Sequence, residues 1–280
     1  MKTKILIQLP VAAIAALFCA STPGVASILL STKDFAILAG TDITNSHATT
    51  INGGNVGTWG AGNSITGFPP GLIVEPYGKI EAGSVTDQAR DDLLTLRNGL
   101  AGMEADETLV ALGGLTLFPG VYHIAAAANL TGNLILDGNG QDNAYWVFQI
   151  GAAFTTAASS SVTVINTGSN GGSDYGVFWN VQDAITFGAS SELIGNYLAG
   201  AGLSFGASSH GSGRALAIGA ITIDSSDLHA FGGFEGNDWS GGLMYDQGGF
   251  IVAVPEPATY AAILGLSALI VILLRRVGSR

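Results

Sequence analysis

The sequence predicts a parallel β-solenoid with one helix packed alongside, and three observations carry that prediction. The first is an internal repeat. Phe178–Gly195, Asn196–Gly213 and Arg214–Phe231 align without gaps at about 18 residues each. The second is an alternation kept in every copy. Ile185, Leu203 and Ile221 share one position, Phe187, Phe205 and Ile223 lie two further on, and Thr186, Ser204 and Thr222 stand between them. The third is composition. The chain of 280 residues has 41 Gly and is 48% hydrophobic but only 11% charged, against about 25% charged in an ordinary soluble domain. Such a chain turns often, buries much and exposes few charges.

Three short strands and three corners use up one such repeat. Stacking places equivalent side chains about 4.8 Å apart, the normal strand spacing. A single coil cannot bury a core, so the coils stabilise one another. Phe, Ile and Leu then stack inward, while Thr, Ser, Ala and Gly face out. Phe148–Val162 fits the same frame one coil earlier through Phe154-Thr155-Thr156, separated by the polar loop Asn166–Gly176. Asn133–Asp137 reads as a further coil with Ile135 in the hydroxyl position.

Helical periodicity is confined to about residues 84–103. Ser84 is the expected N-cap, with Asp87 in capping-box position. Ala89, Leu93, Leu96 and Leu100 fall on one face, and Asp91, Asp92, Arg97 and Asn98 fall elsewhere. This amphipathic helix is expected to cover one apolar flank of the stack.

Both ends read as addresses. In residues 1–26, Lys2 and Lys4 precede an apolar run, and Gly24-Val25-Ala26 offers small residues for signal cleavage. Cys19, the only cysteine, leaves with that segment, so the exported body has no thiol chemistry. The solenoid domain is expected over 27–228, a Gly-rich cap or spacer over 229–253 and a sorting tail over 254–280. In the tail, Val254-Pro255-Glu256-Pro257 is followed by the apolar run Tyr260–Leu274 and by Arg275-Arg276. The run is shorter than the roughly 20 residues that span a bilayer comfortably. These three parts resemble the PEP-CTERM sorting signal. That resemblance implies transient inner-membrane anchoring through Tyr260–Leu274, cleavage by an exosortase-type protease and release to the cell surface or extracellular matrix.

Between the addresses, Ser27–Ala253 holds five bases and 20 acids, a net charge of −15. Nucleic-acid binding, which needs Lys and Arg to displace phosphate counterions, is excluded. Enzyme motifs fare no better. Gly202-Leu203-Ser204-Phe205-Gly206 matches a hydrolase nucleophile elbow, but no helix follows, and neighbouring repeats put Thr in the same slot. His47, His123, His210 and His229 lack zinc spacing. Asp137-Gly138-Asn139-Gly140-Gln141-Asp142 lacks the distal Glu of a calcium loop. Arg214 reads as a solvated edge or an ion-pair partner. No metal or cofactor is expected.

What remains is the outward ladder. Thr155, Thr186, Ser204 and Thr222 should form a column, flanked by Ala153, Ala184, Gly202 and Ala220 on one side and by Ala157, Gly188 and Gly206 on the other. Such a strip is flat and nearly free of charge. It reads either as a sheet face of ordinary β-formers or as a surface that matches ordered water, as adsorption to a crystal lattice requires. Ser159, Ser190, Ser208 and Ser226 form a second candidate column.

The succession of segments adds a resemblance. It runs from Phe35-Ala36-Ile37-Leu38-Ala39-Gly40 through Ile43-Thr44-Asn45, Asn52-Gly53-Gly54-Asn55-Val56-Gly57 and Ile65-Thr66-Gly67-Phe68. Leu112–Tyr122, Leu134–Gly138, Trp146–Ile150, Val177–Val181 and Gly213–Ala217 follow. It resembles the DUF3494 ice-binding-protein family over about Leu29–Asp227. The resemblance implies a discontinuous right-handed β-solenoid with one long helix alongside, and ice adsorption through a flat solenoid face. Ile135, standing where a Thr is usual, and the charges of Asp224 and Asp227 depart from the pattern. The leading expectation is a secreted, non-enzymatic ice-binding protein. The alternatives are an adhesive matrix protein that binds extracellular polysaccharide on the same scaffold, through exposed aromatics such as Trp239 and Tyr245, and a β-helical polysaccharide-active enzyme with acids clustered around Arg214.

Overall fold

The computed structural model describes residues 27–168, 175–224, 239–256 and 269–270, and the backbone alone at 227–229. The proposed signal segment, Ser226 and nearly all of Tyr260–Leu274 lie outside the described residues. Among the described residues, no helix is long and apolar enough to cross a membrane.

Each coil crosses three faces. In one complete coil, Gly176–Val181 lies on the first face, Ile185–Phe187 on the second and the start of Glu192–Ala199 on the third. The latter half of that strand rounds the corner onto the first face of the next coil, where Phe178 pairs with Asn196 and Val181 with Ala199. Gly195 and Gly213 occupy this corner at φ of 111° and 132°. A Cβ on Gly213 would lie 2.0 Å from the Gly195 carbonyl oxygen, so glycine is required there.

Among the described residues, the strand pairings within the two large sheets are all parallel, and the order is discontinuous. The strand Phe35–Ala39 pairs with His210–Ala217 through Ile37↔Ala215 and Leu38↔Leu216, and Ile43–Asn45 pairs with Ile221–Ile223. The first described strand therefore lies beside the last of the C-terminal coils, and the chain winds away from it as far as Lys79–Ile80. Helix α1 (Ser84–Ala101) then runs back along the first face. A second series of coils begins at Glu107–Thr108 and winds home.

Helix α1 buries Ala89, Leu93, Leu96 and Leu100 against Leu38, Val121, Val147, Phe178, Leu198 and Leu216 of the first face. These are the helix residues the periodicity selects. Its N-cap is Gly83, not Ser84. The Thr86 hydroxyl accepts from the Gly83 N–H at 3.1 Å and donates to the Gly83 carbonyl at 3.0 Å. Thr86 is itself buried, so the cap closes from inside the protein. Thr86→Ala should lower the unfolding free energy by about 1 kcal/mol, read as a shift in the urea midpoint at constant slope.

Arg97 also departs from the sequence reading. It is buried, and its Nη1 donates to the carbonyl oxygens of Val181, at 2.9 Å, and Leu198. Asn180 returns a bond from Nδ2 to the Arg97 carbonyl, and Gln149 Nε2 reaches the carbonyls of Leu100 and Met103. The guanidinium reaches past the apolar stripe to carbonyls at the sheet corner, which helical spacing alone does not reveal. Desolvation lowers the Arg97 pKa to about 10. Arg214 is likewise no solvated edge. It is wholly buried and donates to the Lys33 carbonyl and to Asn196 Oδ1.

Inside the solenoid, Tyr122, Phe148, Trp179 and Tyr197 stack face to face in successive coils, with centroids 5.6, 4.1 and 5.6 Å apart. Burial raises the Tyr122 pKa to about 12 and also raises those of Tyr145, Tyr197 and Tyr245. A group whose pKa is raised by folding contributes stability that is complete below its unfolded value and is lost as pH climbs toward its folded value. The lowered Arg97 pKa acts in the opposite direction, as one group against four tyrosines. Stability should therefore hold through neutrality and fall as pH rises above about 10, with phenolate absorbance appearing together with unfolding.

The C-terminal segment packs on the corner between the third and first faces. Trp239 is buried, donates from Nε1 to Ser212 Oγ at 2.8 Å and lies edge-on to Tyr175. Beyond it, Leu243–Tyr245 and Ile251–Ala253 form an antiparallel hairpin whose Leu243 and Ile251 are buried with α1.

Candidate functional site

The second face is a seven-stranded parallel sheet of three-residue and two-residue strands. Its burial pattern is in–out–in, so each strand offers one outward side chain. Register places these outward residues in one column. Asn129 pairs with Thr155, Thr155 with Thr186, Thr186 with Ser204 and Ser204 with Thr222. The N-terminal coils continue it, Thr222 pairing with Thr44 and Thr44 with Thr66. Six intervals of about 4.8 Å make the column about 29 Å long.

The column stands on a largely apolar floor. Phe154, Ile185, Leu203, Ile221 and Ile43 fill the inward position on one side of it, with Phe187, Phe205 and Ile223 on the other. These packed neighbours hold the short strands level. Thr155, Thr186, Thr222, Thr44 and Thr66 are exposed and Ser204 is half-buried. Neither α1 nor the C-terminal hairpin covers the face, since both pack elsewhere.

The four column residues read from the repeat thus come together, with Ala153, Ala184 and Gly202 half-buried and Ala220 exposed beside them. Thr44, Thr66 and Asn129 join the column from outside the repeat. The first two sit in N-terminal coils that follow the irregular spacing of a separate winding. The Ile-Thr pairs at 43–44 and 65–66, matching Ile221-Thr222, were the available signal.

Ile135 is a correction. It pairs with Thr116 and Thr163 on the third face, and Asn129 holds the column position in that coil. The alternating strand Asn133–Asp137 imitates a column strand, while the true one, Ala128–Leu130, is masked by the alanines before it. The second candidate column also resolves differently. Ser159, Ser190 and Ser208 are exposed at φ of 59°, 56° and 55°, so they form turns. The serine after each is buried and bonds back to a carbonyl, as Ser191 does to Gly188 and Ser209 to Gly206, both at 2.8 Å.

The flanks change along the column. Beside Thr155 to Thr222 they are mostly Ala and Gly. Beside Thr44 and Thr66 they become polar: Asp42 Oδ1 accepts from the Ser64 N–H at 2.7 Å, and His47 Nδ1 lies 2.5 Å from Asp224 Oδ1. Thr66 turns its hydroxyl toward the Ile43 carbonyl at 3.4 Å. The uncharged stretch is thus that of Thr155, Thr186 and Ser204, before Asp224. Ser204 lies mid-strand between Thr186 and Thr222, with none of the geometry of a nucleophile elbow. Among the described residues, no group of His, Cys, Asp and Glu could hold a metal ion.

A seven-rung column on a discontinuous solenoid, with a helix along another face, matches a known architecture. The family model described as ice-binding-like matches residues 37–229. The chain belongs to the ice-binding-like family. It is 35% identical over 244 residues to an ice-binding protein of Nostoc sp. (strain HG1), covering 85% of this chain and 82% of that one. The crystal structure of an ice-binding protein from the Antarctic ascomycete Antarctomyces psychrotrophicus superposes with a TM-score of 0.66 at 36% identity, over 72% of this chain and 96% of that one. The DUF3494 domain of Shewanella frigidimarina ice-binding protein 1 superposes at 0.61 with 25% identity, over 73% and 97%. The ice-binding-like fold expected from the segment order is therefore the fold of this chain.

Proposed function

We propose that this protein is a secreted, non-enzymatic ice-binding protein that adsorbs through the column Asn129–Thr155–Thr186–Ser204–Thr222–Thr44–Thr66. The single observation that carries the reading is the unbroken register of outward hydroxyls on an uncovered, largely uncharged face. Two hydrogen bonds of about 2.75 Å that meet at one water span about 4.8 Å when the angle at that water is about 120°. One water can therefore bridge each pair of rungs close to the tetrahedral geometry that water keeps in ice. The threonine methyls and the flanking Ala and Gly leave no long charged side chain to disorder such a row.

Each bridge is weak, because a hydrogen bond exchanged with water contributes little net free energy. The row acts together because the backbone ladder has already fixed its positions, so little ordering entropy is lost on adsorption. Ice growth is then blocked between adsorbed molecules, and recrystallisation around the cell is inhibited.

The terminal segments support an exported life. Ile28 and Leu29, which follow the proposed signal boundary, are fully buried. In this reading the tail is cut by an exosortase-type protease near Val254-Pro255-Glu256-Pro257 after transient anchoring through Tyr260–Leu274. The adhesive alternative looked to exposed Trp239 and Tyr245, but Trp239 is buried and Tyr245 donates to the Ile28 carbonyl. Ice recrystallisation and crystal-shaping assays test the function. A well-folded protein that neither shapes ice crystals nor slows their coarsening would overturn it.

A further inference from the structure

The last described residues of the body are tied down in an unexpected way. Glu256 accepts hydrogen bonds from two consecutive backbone amides, Asp142 N–H to Oε2 at 3.1 Å and Asn143 N–H to Oε1 at 3.0 Å. Asn143 Nδ2 donates to the Pro255 carbonyl at 3.1 Å, and the Val254 N–H donates to the Gly242 carbonyl at 2.9 Å. Paired amides of this kind form a concave cradle for a carboxylate, and bonds to an ionised acceptor are about twice as strong as neutral ones.

The cradle has a definite place. Asp142 and Asn143 lie in the turn that carries Asn133–Asp137 of the third face into Tyr145–Ile150 of the first. Ser27 and Ile28 lie toward the same side, since Ser27 Oγ meets Ser240 Oγ at 3.3 Å and Tyr245 donates to the Ile28 carbonyl. In a three-faced solenoid, the corner between the third and first faces is opposite the second face, which bears the hydroxyl column.

The geometry points to Glu256 as a latch that fixes the exit of the C-terminal tail at this corner, so that a molecule held by its tail turns the column outward. The inference rests on the ice-binding reading for its purpose but not for its geometry. Glu256 is accordingly part of the folded body, although in sequence it belongs to the sorting motif. A cut before it would release the strap from the cradle, and a cut after it would leave the latch closed.

Two measurements test this on the full chain carrying Cys19→Ser. Spin labels at Ala258→Cys and Gln141→Cys should give a short, narrow distance, and labels at Ala258→Cys and Thr186→Cys a long one. Glu256→Ala should broaden the first distribution. A tail label no nearer to position 141 than to 186, or a distance indifferent to Glu256→Ala, overturns the latch. Beads coupled through a biotinylated tag after Arg280 should then be captured by growing ice. If free protein adsorbs to ice while these beads do not, the outward presentation is wrong. If free protein fails to adsorb, the ice-binding reading fails, and the distances still decide the latch.

Discussion

Thr186→Tyr is expected to reduce inhibition of ice recrystallisation at least tenfold while leaving the fold intact. Thr186 stands in mid-column between Thr155 and Ser204, with its side chain exposed. A tyrosine there raises a ring above a surface otherwise made of methyls, hydroxyls and backbone. The rungs on either side are then held away from any flat lattice, so one substitution disables several bridges. The folding cost is small, because tyrosine is a good strand former and no buried contact is lost. Thr222→Tyr should behave in the same way. Ser208→Tyr, at a turn off the column, should leave ice activity unchanged, which separates a specific column from a generally tolerant surface. Circular dichroism and thermal melting establish folding for all three. Full activity in both folded column variants would move the site to another face.

The column also shows what the sequence makes readable. The repeat at 178–231 announces itself because three coils keep one spacing, so their registers Ile185↔Leu203↔Ile221 can be read as aligned text. The N-terminal coils join the same sheet only through closure of the chain on its own last coil. No local pattern encodes the pairing of Thr44 with Thr222, which lie far apart in sequence. Helix α1 was legible in its buried stripe, because burial dictates periodicity. Its cap was not, because Thr86 acts from the buried side. Arg97 and Arg214 were misread for a common reason: charge predicts exposure only until backbone carbonyls at a corner supply enough acceptors to replace water. Segment order, by contrast, pointed to the family correctly, since it reflects the whole winding path rather than any single element.

Trp179→Ala should be the most damaging single change to stability, lowering it by about 3–5 kcal/mol out of the roughly 5–15 kcal/mol that holds a typical domain together. Trp179 is wholly buried and stacks on Phe148 at 4.1 Å, on Phe154 at 5.0 Å and on Tyr197 at 5.6 Å. Truncation removes all three contacts from adjacent coils, and in a solenoid neighbouring-coil contacts carry the stability. The polar loss is minor. Trp179 Nε1 donates to the Ile194 carbonyl, but the Tyr197 hydroxyl donates to the same oxygen at 3.0 Å and keeps it satisfied. The damage should therefore scale with the void, and Trp179→Phe should recover much of it. Urea unfolding measures both, with the midpoint falling at little change in slope. The effect should also reach the surface, because Phe154 lies against Trp179 and immediately precedes Thr155 on its strand. A loosened Phe154 no longer holds Thr155 level with Thr186. Trp179→Ala, assayed cold enough to remain folded, should therefore lose part of its ice activity without any change to the column itself, whereas Thr186→Tyr loses activity at full stability.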